Sequence, residues 1–234
     1  MSTPITIGIT DYKRYDDYVA WIKGSNVPVN IIRLSWKLDN GEDVHSCDGF
    51  LLTGGEDVQP ALYGKPEYEQ YLNSSGLNPA RDEFEWKLLD NIFALKKPLL
   101  TTCRSTQLTN VYMGGTLIYD LPTVLNNQNH HRKDGIDQSH SILIEPNSLL
   151  HSIIKQDSII VNSSHHQSVE MPGKGLKVVA YSREGIIEAL ELSDKTNNSW
   201  FLLLQWHPER MPDDLFATAI REAFLQEVLC HKQL

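Results

Sequence analysis

The sequence predicts an α/β fold, a mostly parallel sheet with helices on both faces, carrying an added antiparallel portion in its second half. Two observations lead there. Up to about residue 113, short apolar runs alternate with amphipathic segments of helical period, and that rhythm implies parallel strands joined by crossover helices. Further on, strand-like runs follow one another closely, and charged Glu188 and Glu191 among them point to half-exposed antiparallel pairing. No repeat, low-complexity tract or linker interrupts the 234 residues, so 1–234 reads as one domain.

Taken in order, residues 5–10 form an apolar run of strand length, and 15–23 place Tyr18, Val19 and Ile22 on one side of a helix. Residues 29–34 and 49–53 read as further strands. A polar loop with Pro60, Pro66 and Pro79 follows. From 82 to 95, Phe84, Leu88, Leu89, Ile92 and Leu95 recur at helical spacing, with Asp82 as the expected cap and Pro98 as the stop. A strand at 99–102 leads to a helix at 107–113. Strands are then expected at 141–144, 158–161, 177–181, 185–192 and 200–204, before an amphipathic helix at 213–229.

Composition narrows the function. Hydrophobic residues make up 41% and charged residues 22%, ordinary for a globular protein. A formal net charge of −9 argues against nucleic acid or an anionic membrane as the main partner, since both repel an acidic surface. The single basic run is His130-His131-Arg132-Lys133. No apolar stretch approaches the roughly 20 residues that span a bilayer, and the N-terminus does not read as a secretory signal. Cys47, Cys103 and Cys230 are an odd set without Cys-x-x-Cys spacing, which fits free thiols in the reducing cytoplasm. Core packing is the expected role of Cys47 and Cys230.

Three segments carry chemistry. Cys103 sits where the strand at 99–102 turns into a helix, so its thiol faces the positive end of that helix, which favours thiolate. A buried apolar cysteine ending a strand is the plainer alternative. The strand at 200–204 runs into His207-Pro208-Glu209, which puts an imidazole and a carboxylate two residues apart on one extended face. A half-exposed loop pair is the alternative there. Gly54-Gly55, after the third strand, permits close backbone approach to an anion or simply makes a turn.

Together these segments resemble the class I glutamine amidotransferase superfamily, and within it the peptidase C26 group that contains the γ-glutamyl-γ-aminobutyrate hydrolases. The similarity runs through Gly49-Phe-Leu-Leu-Thr-Gly-Gly-Glu-Asp-Val-Gln-Pro60, Tyr63-Gly64, Arg81-Asp82 with Glu85, Cys103-Arg104 with Gln107, Gly114-Gly-Thr-Leu117 with Asp120-Leu121, Val161-Asn-Ser-Ser-His-His-Gln167 and Gln205-Trp-His-Pro-Glu209. The resemblance implies a flavodoxin-like sheet and a Cys103–His207–Glu209 triad. It also implies an oxyanion hole of the Gly55 and Arg104 backbone amides, and a substrate pocket lined by Gln107, His165, His166 and Gln167. The implied activity is cleavage of a γ-glutamyl amide with no metal or organic cofactor. The implied partner is a small γ-glutamyl substrate, with a homo-oligomer or a separate ammonia-consuming synthase as macromolecular alternatives. One departure stands out. The family's elbow carries glycine two residues either side of the cysteine, where this chain has Thr101 and Ser105. That motivates a rival expectation, a catalytically decayed binding protein on the same scaffold.

Overall fold

In the computed structural model, residues 4–72, 76–125, 136–194 and 200–233 are described. The basic run at 130–133 lies outside them. The strands are β1 (Ile5–Thr10), β2 (Val29–Leu34), β3 (Gly49–Leu52), β4 (Leu99–Thr102), β5 (Thr116–Ile118), β6 (Gln138–Ile144), β7 (Ser158–Ser163), β8 (Ser168–Met171), β9 (Leu176–Ser182), β10 (Ile187–Leu192) and β11 (Phe201–Leu204). The helices are α1 (Tyr15–Lys23), α2 (Pro79–Leu95), α3 (Arg104–Tyr112), α4 (Leu121–Leu125), α5 (Leu149–Ile154) and α6 (Leu215–Lys232).

Nine strands form one sheet in the order β2-β1-β3-β4-β11-β10-β9-β6-β7. The first five positions are parallel and the rest antiparallel, joined where β11 pairs parallel with β4 and antiparallel with β10. This is the α/β, flavodoxin-like arrangement with an antiparallel extension. The central strands are buried on both faces, so alternate residues feed two cores. Leu51, Leu100, Leu202 and Leu204 pack with Tyr18, Trp21 and Ile22 of α1 and Phe224 and Val228 of α6. Phe50, Leu52, Leu99 and Leu203 pack with Leu88, Leu89 and Ile92 of α2 and Leu108 and Val111 of α3.

Several expectations need correction. Helix α2 begins at Pro79, and Asn78 caps it by accepting the Arg81 N–H, a bond of 3.2 Å. Asp82 is not the cap; it is buried against Arg104. Helix α3 starts at Arg104 rather than 107, directly after the cysteine. Glu188 and Glu191 do lie on an antiparallel strand, but both are buried. Each has a basic partner, His140 for Glu188 at 2.9 Å and Lys177 for Glu191 at 3.1 Å, which is how a carboxylate is retained inside. The short pair β5 and β8, with α4 and α5, lay below what hydrophobic periodicity resolves. Cys47 is buried as expected, whereas Cys230 is exposed on α6. Among the described residues, no helix is long and apolar enough to cross a membrane.

Candidate active site

Cys103 occupies the one-residue turn between β4 and α3, with φ 50° and ψ −111°. A left-handed conformation in a non-glycine residue costs on the order of 1–3 kcal/mol and must be held by its surroundings. Here the Cys103 N–H donates to Leu204 O on β11 at 2.7 Å, and its carbonyl accepts Gln107 N–H at 3.2 Å. The first N–H groups of α3 have no carbonyl four residues back, so the helix presents its positive end beside the sulfur.

The residues replacing the elbow glycines are accommodated by hydroxyl bookkeeping. Thr101 Oγ1 lies 2.7 Å from Thr106 Oγ1, which itself donates to Leu204 O at 2.7 Å. Ser105 Oγ reaches Thr53 O at 2.9 Å and Thr102 O at 3.1 Å. All three side chains are fully buried, yet none leaves a hydroxyl without a partner, so the substitutions do not carry the cost of an unmet polar group.

His207 follows β11, and its backbone is locked to Asn162 of β7. The His207 N–H donates to Asn162 Oδ1 at 2.8 Å, and Asn162 Nδ2 donates to His207 O at 2.7 Å. Residues Pro208–Arg210 form a 3-10 turn, not the extended segment expected from sequence. The turn still brings His207 Nδ1 to 2.7 Å from Glu209 Oε1. Cys103 lies near enough to the ring for its charge to act on it. Burial alone would depress the ring's pKa, but Glu209 and Cys103 outweigh burial and hold it up at about 9. With Cys103 only 7% exposed and His207 2%, sulfur, imidazole and carboxylate lie together, shielded from bulk water.

The Gly54-Gly55 turn closes on the same point. A Cβ on Gly54 would lie 2.6 Å from His207 Cε1 and 3.5 Å from Cys103 Cβ. One on Gly55 would lie 2.0 Å from Arg81 Nη1 and 3.1 Å from Arg104 Cδ. Both positions need glycine because backbone and site approach this closely. Arg81 fixes the turn, donating from Nη2 to Thr53 O at 3.1 Å and Gly54 O at 2.9 Å. Its Nε pairs with Glu85 at 2.7 Å and its Nη1 with Glu56 at 2.9 Å, while Arg104 pairs with Glu85 and Asp82. A buried network of alternating charge thus braces the two segments that carry Gly55 and Arg104.

The remaining expected residues gather beside Cys103 and His207 with distinct partners. Gln107, one helical turn after Cys103, donates from Nε2 to Gln167 O at 2.9 Å and Gln205 Oε1 at 3.2 Å. His165 Nδ1 donates to Gln167 O at 2.9 Å, and Gln167 Oε1 accepts Val58 N–H at 3.4 Å. These three are buried and brace one another. The amide nitrogens of Gln167 and Gln205 lack a hydrogen-bond partner among the described residues. His166 is different. Its side chain is 35% exposed and donates to Asp57 at 2.8 Å and Asp120 at 3.0 Å. Burial opposes its charge, but the two carboxylates prevail and push its pKa up to about 9. Sequence reasoning missed Asn162 and Tyr18 as members of the site. Asn162 lay inside a quoted motif, but Tyr18 read as one more apolar position of an amphipathic helix.

Comparison with known proteins supplies the context. A family model described as Peptidase C26 matches residues 8–209. Protein NtpR of Enterococcus hirae is 34% identical over 169 residues, which cover 71% of this chain and 68% of that protein. The γ-glutamyl-γ-aminobutyrate hydrolase PuuD of Escherichia coli K12 is 30% identical over 174 residues, covering 69% of this chain and 64% of the relative. A Mycobacterium tuberculosis protein described as a candidate glutamine amidotransferase is 36% identical, and the match spans 53% of its length, about half. Among solved structures, the glutaminase domain of a Trypanosoma brucei CTPS with bound acivicin superposes with a TM-score of 0.65 at 13% identity, over 96% of this chain and 93% of that one. At that identity the likeness speaks to the fold alone.

Proposed function

The chain belongs to the peptidase C26 family, and from that premise we propose that it hydrolyses γ-glutamyl amide bonds through a thioester on Cys103. The observation that carries the reading is His207, held by Glu209 on one side and brought beside Cys103 at the Gly54 turn on the other. The name of the Escherichia coli relative supports the substrate class.

The Cys103 thiolate attacks the side-chain carbonyl carbon of the γ-glutamyl group. The carbonyl oxygen becomes an oxyanion, placed in this reading at the Gly55 and Arg104 amides. As the tetrahedral centre collapses, the C–N bond breaks and protonated His207 gives its proton to the departing amine. Neutral His207 then takes a proton from water, whose hydroxide attacks the thioester and releases glutamate and the thiolate. Glu209 holds the imidazole with Nδ1–H towards itself, leaving Nε2 for this traffic. In this reading the unpartnered amide nitrogens of Gln167 and Gln205 donate to the polar end of the substrate. No step calls for a metal or organic cofactor. A reducing, cytoplasmic setting fits a nucleophile that must remain a free thiol.

A second reading keeps the chemistry and passes the ammonia of glutamine to a separate synthase. It is favoured by the amidotransferase description of the Mycobacterium relative. The decayed-scaffold reading finds no support in the elbow, where every added hydroxyl has a partner. A screen of glutamine and γ-glutamyl amines with wild type and Cys103→Ala tests the proposal. Turnover of γ-glutamyl amines by the isolated chain, abolished in Cys103→Ala, is the expected result. Turnover surviving in Cys103→Ala overturns it, and glutamine hydrolysis seen only with an added synthase favours the second reading.

A further inference from the structure

Tyr18 is the fully buried polar group at the centre of the site that the mechanism above does not use. Its hydroxyl accepts the Gly54 N–H at 2.9 Å, lies 3.0 Å from Thr102 Oγ1 and 3.4 Å from His207 Nδ1. It therefore touches three pieces at once: the turn that leads into Gly55, the residue before the nucleophile, and the base.

The directions of these bonds can be worked out. A carboxylate only accepts, so the proton at 2.7 Å from Glu209 Oε1 sits on His207 Nδ1. The phenol oxygen facing that N–H must then accept, as it does from Gly54. Its own proton is left for Thr102 Oγ1, whose hydroxyl goes on to Leu52 O at 3.5 Å. Every donor and acceptor in the chain has one consistent role. Burial and the nearby Glu209 charge raise the Tyr18 pKa well above its usual value, so the phenol keeps its proton and can play this role throughout the working range.

We infer that Tyr18 is a positioning residue of the reaction, a second acceptor for His207 Nδ1–H that fixes the imidazole against both the glycine turn and the cysteine elbow. The inference rests on the proposed cysteine mechanism. The charged and titratable groups facing His207 are Cys103 from the elbow, Glu209 with Arg210 from the turn after β11, and Tyr18 from α1. Tyr12, after β1, faces Cys103.

Tyr18→Phe keeps the ring and removes the oxygen. Loss of an acceptor destabilises the imidazolium and with it the thiolate–imidazolium pair. Cys103 alkylation by iodoacetamide, followed by mass spectrometry, should therefore shift its acid limb upward by about half a pH unit. The kcat should fall about tenfold while KM stays within about twofold. A merely structural tyrosine would lower the fraction folded without moving the alkylation profile. An unshifted profile with wild-type kcat overturns the inference. Should Tyr18→Phe fail to fold, Thr102→Val removes the acceptor of the phenol proton and must show the same upward shift; a wild-type profile there is equally fatal. The alkylation readout needs no substrate, so failure of the hydrolase reading, seen as turnover by Cys103→Ala, is distinguishable from failure of this one.

Discussion

Replacing Gly54 by alanine adds a single methyl at a crowded point of the site, directly against the His207 ring. That carbon would lie 2.6 Å from His207 Cε1 and 3.1 Å from the Tyr18 hydroxyl. Carbon atoms rest at about 3.5–4.0 Å, so the ring or the turn must yield by about 1 Å. The ring is tied to Glu209 on one side and its backbone to Asn162, and the turn is held by Arg81, so neither moves freely. A misplacement of about 1 Å in a reacting group costs on the order of 100-fold, or about 2.7 kcal/mol in the barrier. Overpacking adds about 1–3 kcal/mol of destabilisation, which lowers the melting temperature without unfolding a robust domain. The assay is kcat on a γ-glutamyl amine, normalised to folded protein by circular dichroism. Gly41→Ala is the control, because its nearest neighbour, Phe84, would sit at an ordinary 3.6 Å. A folded Gly54→Ala enzyme with wild-type kcat would refute the placement of the imidazole against the glycine turn.

Glu85→Gln leaves Arg81 and Arg104 buried with a partner missing, and should destabilise by about 3–5 kcal/mol in urea unfolding, far more than a surface Glu83→Gln. His207 and His166 both have folded pKa values raised to about 9 against an ordinary 6.5, so the stability they confer is complete below about pH 6.5 and is lost as pH rises through 9. Melting temperature should accordingly fall across that window, and His166→Asn should flatten part of the fall. Native-state alkylation should modify exposed Cys230 while sparing Cys47, whose buried thiol is pushed up to about 12, until the protein is unfolded; rapid native labelling of Cys47 contradicts its placement.

The parallel half of the sheet was legible because strands buried on both faces are continuous apolar runs. The meeting of Cys103 and His207 was legible for a related reason, since each ends such a run and so falls at the same sheet edge. What sequence concealed was pairing. Glu188, Glu191 and Asp82 carry charge, which reads as exposure or capping until His140, Lys177 and Arg104 are known to stand beside them. Tyr18 was concealed the other way. Its ring satisfies the helical apolar pattern, and nothing local discloses that its oxygen meets Gly54, Thr102 and His207 from distant parts of the chain. Strands of three or four residues such as β5 and β8 are too short to establish a period.

The neighbour of β4 is β11, a strand translated long after it, and the two align from Leu99 opposite Phe201 to Thr102 opposite Leu204. The elbow's amide anchor, Leu204 O, and His207, the base of the proposed mechanism, both arrive with that late strand. During synthesis, then, residue 103 emerges well before the strand that anchors its turn and brings the imidazole beside it. In the proposed mechanism, activation of the sulfur therefore waits until that strand slots into the middle of the sheet.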